Sequence, residues 1–272
     1  MRPCLSQVTT LTTPFAEDLD AAAGSGCPAV EVWLTKLETH LQTQSVADTR
    51  KLVEAQGIIL AAAAYQGGLL LSRGEQKLAH FEHFRRRLDL CQALGIRMMV
   101  LAPDVVVKPD PAAFAAAVAG LAEASRWAEG FGVTLALEFR PGPVCACLDT
   151  AVSLVEACEE PNVGVCLDAF HYYAGPSKLE DLNRLTRENL AHVQVCDVAG
   201  VPRELMGDSD RVFPGEGDFR LEPIMTRLRA IGYDGYVSLE LMNPELWKSK
   251  PAGVAELGAA ALRRQLECTP ES

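Results

Sequence analysis

The sequence predicts an α/β protein folded as a single-domain (β/α)8 TIM barrel. Three observations carry this. Eight short apolar runs alternate with eight helix-like runs along 272 residues, the usual size of one such barrel. Most of the runs are apolar throughout, as in parallel strands covered on both faces. No Gly-rich phosphate loop follows an early run, which ranks the open doubly wound sheet behind the closed barrel.

The elements follow in order. Residues 5–10 read as a first strand. Residues 14–23 carry Glu17, Asp18 and Asp20 early, as at a helix N-terminus, and the Gly24-Ser-Gly26 break stops them. Residues 29–34 form a second strand, and one long polar helix is expected over 36–55, closed by Gly57. Residues 58–65 are a third strand, followed by the Gln66-Gly-Gly68 loop. Leu78, Phe81, Phe84, Leu88, Cys91 and Leu94 mark the apolar face of a helix over 75–94. Residues 96–101 are a fourth strand, with Pro103-Asp104 beyond it, and 111–130 an Ala-rich helix. Residues 133–139 are a fifth strand, and Asp149-Thr150 is placed to cap the helix running to 159. Strands at 163–167 and 191–195 bracket a short helix at 178–188. The segment 197–218 is too long for a routine turn and reads as a lid or pocket wall. A helix at 221–231, an eighth strand at 236–241 and a last helix at 253–268 complete the pattern.

Composition narrows the function. A net charge of −11 argues against nucleic acid or an anionic membrane as partner. No run of about 18 uncharged apolar residues predicts a spanning helix. The opening Met-Arg-Pro-Cys-Leu-Ser-Gln-Val has no long apolar h-region, so no signal peptide is expected. The nine cysteines include no Cys-x-x-Cys pair, and several sit in strand patterns. They read as buried free thiols of a reducing compartment, and the expected location is cytoplasmic. Apolar helix surfaces leave room for a homo-oligomer contact.

The chemistry concentrates between 135 and 240. Four strand runs end in a polar group: Leu-Ala-Leu-Glu138, Val-Gly-Val-Cys-Leu-Asp168, His-Val-Gln194-Val-Cys-Asp197 and Tyr-Val-Ser-Leu-Glu240. In a closed parallel barrel those ends meet on one face. Carboxylates crowded there repel one another unless a cation compensates. Oxygen donors of this kind suit one divalent ion, Mg²⁺ or Mn²⁺, with Zn²⁺ and Co²⁺ also compatible. Taken singly, each is equally well a solvated strand end; the set of four favours the metal. His171, three residues past Asp168, is placed to touch a substrate oxygen or to shuttle a proton, or else packs as a loop residue. His192 and Gln194 share a side of their strand, His192 deeper, as core or support. His40, His80 and His83 fall on predicted helices and read as surface residues. Arg211 in Asp208-Ser-Asp-Arg211-Val-Phe-Pro214-Gly-Glu-Gly217 is placed to meet an anionic oxygen, or else pairs with Asp208 or Asp210.

These residues carry a resemblance. Leu-Glu138-Phe, Asn162-Val-Gly-Val-Cys-Leu-Asp168-Ala-Phe-His171, Asp210-Arg211-Val-Phe-Pro-Gly-Glu-Gly217 and Val-Ser-Leu-Glu240-Leu make the chain similar to the xylose isomerase-like TIM-barrel superfamily of sugar phosphate isomerases and epimerases. Within it, the chain resembles the inosose isomerase group. The resemblance spans most of the chain and is strongest over 135–247. It implies one divalent metal on Glu138, Asp168, Gln194 and Glu240. It also implies proton transfer between adjacent carbons by Glu138 and Glu240, and substrate oxygens bound by His171 and Arg211. Most isomerases and epimerases of the group carry His where this chain has Gln194. The related 3-dehydroshikimate dehydratases share the Glu, Asp, Gln, Glu set. An amide oxygen is still a ligand, though a weaker one that does not titrate.

Four functions compete. A metal-dependent isomerase or epimerase of a keto-sugar or keto-inositol comes first. A dehydratase-like lyase shares its early steps and loses water. An apurinic-site endonuclease needs a histidine-rich zinc cluster, and only five histidines exist here. A non-catalytic carbohydrate-binding barrel has no need of two proton-transfer carboxylates. No basic phosphate cradle stands out, so the expected substrate is a neutral or carboxylated polyol or keto-sugar. Loops at 66–73, 103–109 and 202–218 are expected to select it, with Trp33, Tyr172 and Trp247 as candidate apolar walls.

Overall fold

The computed structural model describes residues 1–104, 110–142 and 144–267. Among the described residues ten strands form: β1 (Arg2–Ser6), β2 (Ala29–Trp33), β3 (Ile59–Gln66), β4 (Met98–Leu101), β5 (Thr134–Glu138), β6 (Val163–Asp168), β7 (Leu190–Val195), β8 (Asp197–Val198), β9 (Arg211–Val212) and β10 (Tyr236–Leu239). Eight of them close a parallel barrel in the order β1-β10-β7-β6-β5-β4-β3-β2, and β8 and β9 make a separate antiparallel pair. The predicted (β/α)8 fold is therefore the observed one. The helices are α1 (Phe15–Gly24), α2 (Leu34–His40), α3 (Val46–Gln56), α4 (Gly74–Leu94), α5 (Pro111–Glu129), α6 (Leu148–Cys158), α7 (Ala169–Ala174), α8 (Leu221–Ala230) and α9 (Pro251–Glu267).

Several boundaries move for local reasons. The first strand ends at Ser6, and Gln7–Thr10 is a 3-10 turn. The single helix expected over 36–55 is two, because Ser45 caps a new start by accepting from the Asp48 N–H. Asp149-Thr150 lies inside the first turn of α6 rather than at its cap: Cys147 occupies the cap position, Thr150 Oγ1 lies 3.3 Å from its Sγ, and the Leu148 N–H donates to Ser177 Oγ at 3.1 Å. The helix expected at 178–188 is a 3-10 segment, Leu179–Arg184, and the unexpected α7 lies directly after β6. On α4, Leu78 points outward (73% exposed), and the buried Arg87 takes part in the inner face instead. Its Nη1 donates to Tyr65 O at 3.0 Å and to Gln66 Oε1 at 3.2 Å. Residue 268, at the end of the last predicted helix, lies outside the described residues.

The chain divides into two compact units, Met1–Ala62 with Val193–Ser272, and Ala63–His192. In the first, α9 packs on α1 and β1. Gly258 lets α9 lie close to β10 and β1, since a Cβ there would stand 2.4 Å from Leu239 Cδ2 and 3.4 Å from Leu5 Cδ2. A buried ammonium holds the turn after β1: Lys36 Nζ donates to Gln7 O (3.1 Å), to Thr10 O (2.9 Å) and to Asp18 Oδ2. Burial of such a charge is tolerable only with this full set of partners. In the second unit, Asn162 Nδ2 donates to Ser125 O and Val133 O, tying the start of β6 to the end of α5 and the start of β5. Of the loop at 103–109, only residues 103 and 104 are described. The Asp104 carboxylate there accepts the Gly68 N–H at 2.7 Å and the Leu71 N–H at 2.5 Å. All eight described cysteines are free, and seven are buried.

Candidate active site

In the unit Ala63–His192, the residues ending β5 and β6 come together. Glu138 and Asp168 are buried, as is His171 on α7, and each offers a ligand atom within 4.8 Å of the others. The local cause is the N-terminus of α7. Asp168 is its cap, and Oδ1 accepts the Phe170 N–H at 2.6 Å and the His171 N–H at 3.4 Å. That fixes the carboxylate and turns the first helical turn so that His171 Nε2 stands 3.8 Å from Asp168 Oδ2. Sequence gave His171 a substrate-contacting role; the geometry sets its ring beside the two carboxylates. Tyr172, a candidate wall, is instead buried packing, with its hydroxyl donating to Lys178 O at 2.9 Å.

In the unit Met1–Ala62 with Val193–Ser272, a second group assembles around Gln194. Its Nε2 donates to Glu31 Oε1 and to Glu240 Oε1, each at 3.1 Å. Arg211, 1% exposed, donates from Nη1 to Glu240 Oε2 at 2.8 Å, and from Nη2 to Asp208 Oδ1 at 2.7 Å. Arg211 thus pairs with its loop neighbour Asp208, as one reading of the sequence had it, and also reaches the carboxylate of Glu240.

The loop carrying Arg211 is ordered by Asp197, which is fully buried. Asp197 Oδ1 accepts the Val198 N–H (2.9 Å) and the Phe219 N–H (2.8 Å), and Oδ2 accepts the Gly215 N–H (3.0 Å). Gly217 is required by this clamp, because a Cβ there would lie 2.2 Å from Asp197 Oδ1. A cleft of about 560 Å³ lies in the same unit, lined by Phe15, Trp33, Lys36, Thr39, His40 and Thr43 among others. Trp33 lines this cleft, which includes none of Gln194, Arg211 and Glu240. Trp247 is a packing residue whose Nε1 donates to Val8 O at 2.9 Å. The three helix histidines are half-buried rather than surface residues: His40 packs on Phe15 at 4.9 Å, and His80 Nδ1 lies 2.9 Å from Gly68 O.

Glu31 is the residue that reading the sequence missed. It has no exposed surface and sits mid-strand in Ala-Val-Glu31-Val-Trp, where Ser6 Oγ donates to its Oε1 at 2.8 Å. The signal was present: a charge amid apolar neighbours in a strand buried on both faces is costly and needs a reason.

Among relatives, an inosose isomerase of Bacillus velezensis is 29% identical over 259 residues, covering 91% of each chain. A 3-dehydroshikimate dehydratase of Pseudomonas aeruginosa is 27% identical, over 86% of this chain and 37% of its own length. A crystal structure of the IolI protein with a bound zinc atom superposes with a TM-score of 0.92 at 26% identity, covering 98% of both chains. A D-psicose 3-epimerase structure at 22% identity and a TM-score of 0.76 shares the fold. Residues 19–265 match the family described as the xylose isomerase-like TIM barrel. The chain belongs to that family.

Proposed function

We propose that this enzyme is a divalent-metal-dependent isomerase or epimerase of a keto-sugar or keto-inositol, working by removal of the proton alpha to a carbonyl. The buried Glu138, Asp168 and His171 cluster, with ligand atoms within 4.8 Å of one another, carries the reading. Two buried carboxylates at that separation fit a cation: both offer hard oxygens, Asp168 is pre-oriented by two backbone N–H groups, and the His171 imidazole stands beside them for a substrate oxygen. The proposed ligands are Glu138 and Asp168, which end β5 and β6, Gln194, next to last in β7, and Glu240, directly after β10. A bound divalent ion supplies Lewis acidity and positive charge for the enediolate. Zinc in the IolI structure supports a metal without fixing which one this chain uses.

Glu138 and Glu240 are the proton carriers. One takes up the alpha proton, and the other, protonated from solvent, delivers a proton of its own to the adjacent carbon or to the opposite face. Arg211 holds Glu240 Oε2 at 2.8 Å and so orients that carboxylate; its charge also favours an anionic substrate oxygen. His171 binds a substrate oxygen. The small-molecule substrate is a polyol or keto-sugar, in line with the inosose isomerase relatives.

A second reading rests on Gln194. A dehydratase-like lyase would use the same proton removal and then expel a β-hydroxyl. Mass-resolved turnover in D₂O of keto-inositols, ketohexoses and 3-dehydroshikimate separates the two. A product of unchanged formula with one carbon-bound deuterium supports isomerase or epimerase chemistry, and a product lighter by one water makes the enzyme a lyase. Glu240→Gln is expected to abolish exchange of the substrate carbon proton; exchange at the wild-type rate in that variant removes Glu240 from the mechanism.

A further inference from the structure

We propose that Glu31 is a positioning residue, fixing the Gln194 amide so that its carbonyl oxygen rather than its NH₂ group is offered as a metal ligand. The inference rests on the metal-dependent reading above and extends it to a residue that touches neither ion nor substrate.

An amide side chain has two nearly isosteric ends, and only the hydrogen-bond surroundings decide which way it faces. Gln194 Nε2 lies 3.1 Å from Glu31 Oε1 and 3.1 Å from Glu240 Oε1. Ionised carboxylates accept and never donate. With the amide reversed, its oxygen would meet two carboxylate oxygens with no proton between them. Glu31 and Glu240 thus select the orientation and engage both N–H bonds of the NH₂ group. Ser6 Oγ, donating to the same Glu31 oxygen at 2.8 Å, holds the selecting carboxylate in place.

The cost of Glu31 supports a role. It has no exposed surface, and its strand neighbours Val30 and Val32 are also buried. A side chain needed only to fill that space would be apolar, because an ionised carboxylate is far more expensive to bury. A glutamine ligand is the case that needs such a residue: an amide has two chemically different ends, and the wrong one presents hydrogens to a cation.

The experiment compares the wild type with Glu31→Leu, Glu31→Gln and Ser6→Ala, all checked for folding by circular dichroism. Mn²⁺ affinity is measured by calorimetry on metal-free protein. Waters on bound Mn²⁺ are counted by electron paramagnetic resonance in ¹⁷O-enriched water. Loss of an outer partner of a ligand typically weakens metal binding about 10- to 100-fold, and Glu31→Leu is expected in that range with one additional Mn²⁺-bound water. Glu31→Gln keeps an acceptor oxygen for Gln194 and should recover affinity to within about threefold of wild type, with the original water count. Ser6→Ala should fall between the two, and it decides the matter if Glu31→Leu does not fold. Unchanged affinity and water count in folded Glu31→Leu, or in Ser6→Ala where Glu31→Leu is unfolded, would overturn the proposal, as would Glu31→Gln binding as weakly as Glu31→Leu. Failure of the wild type itself to bind Mn²⁺ or another divalent ion would instead sink the metal-dependent reading.

Discussion

Neutralising Glu138 should make the metal-free protein more stable and the metal-supplemented protein less responsive. Glu138 and Asp168 are buried with ligand oxygens within 4.8 Å. Two unit charges at that distance repel by about 3 kcal/mol at an effective dielectric near 20. The two backbone N–H groups on Asp168 Oδ1 offset part of this, so relief of about 2 kcal/mol is a fair expectation for Glu138→Gln. At about 2–4 °C per kcal/mol, the variant should melt roughly 4–8 °C above wild type in chelator. The order reverses with metal. At an ion concentration about 100 times the wild-type Kd the wild type gains about 2.7 kcal/mol by linkage, and the variant, with a weaker neutral amide in place of a carboxylate ligand, should gain much less. Differential scanning calorimetry at one pH, with chelator and then with excess Mn²⁺, reads both halves. A variant that melts at or below wild type in chelator, or that keeps the full metal-dependent rise, would refute the view that these carboxylates are held together for a cation.

Three further outcomes are expected. Arg211→Met leaves the buried Glu240 carboxylate without its guanidinium and should cost about 3–5 kcal/mol in urea unfolding; adding Glu240→Gln should recover a large part, and a strictly additive double variant would mean that the pair is not coupled. Asp197→Asn turns one acceptor into a donor facing a backbone N–H, at a cost of about 1.5–3 kcal/mol, and should expose the segment 199–219 to limited proteolysis; an unchanged cleavage pattern would show that the loop is ordered by other contacts. Burial raises the thiols of Cys4 and Cys145 and pushes Cys91 up to about 12, so native protein at pH 8 should react with a thiol reagent at the half-buried Cys147 before any other described cysteine; rapid labelling of Cys91 in the folded state would contradict its burial.

Much was legible in the chain itself. The alternation of uniformly apolar runs with amphipathic segments is a local property, and it specified eight strands, their helices and a covered parallel sheet. The strand-end positions of Glu138, Asp168, Gln194 and Glu240 follow from the same pattern, since a strand's last residues are known once its apolar run is. What failed were features set by competition between neighbouring caps. Ser45 restarts a helix that periodicity alone would continue, and Asp168 caps α7 in a stretch read as loop.

Partner choice was not legible. No periodicity states that Gln194 Nε2 lies between Glu31 and Glu240, 163 and 46 residues away in sequence, or that Arg211 reaches Glu240. Such hydrogen bonds depend on which strands the sheet brings side by side and on side-chain directions across them. The sequence alone thus determined the architecture and the kinds of donor at the strand ends, because both follow from local polarity and spacing. The tertiary structure decided which donor faces which acceptor, because burial charges a high free-energy cost for every mismatched polar group and so leaves few arrangements open.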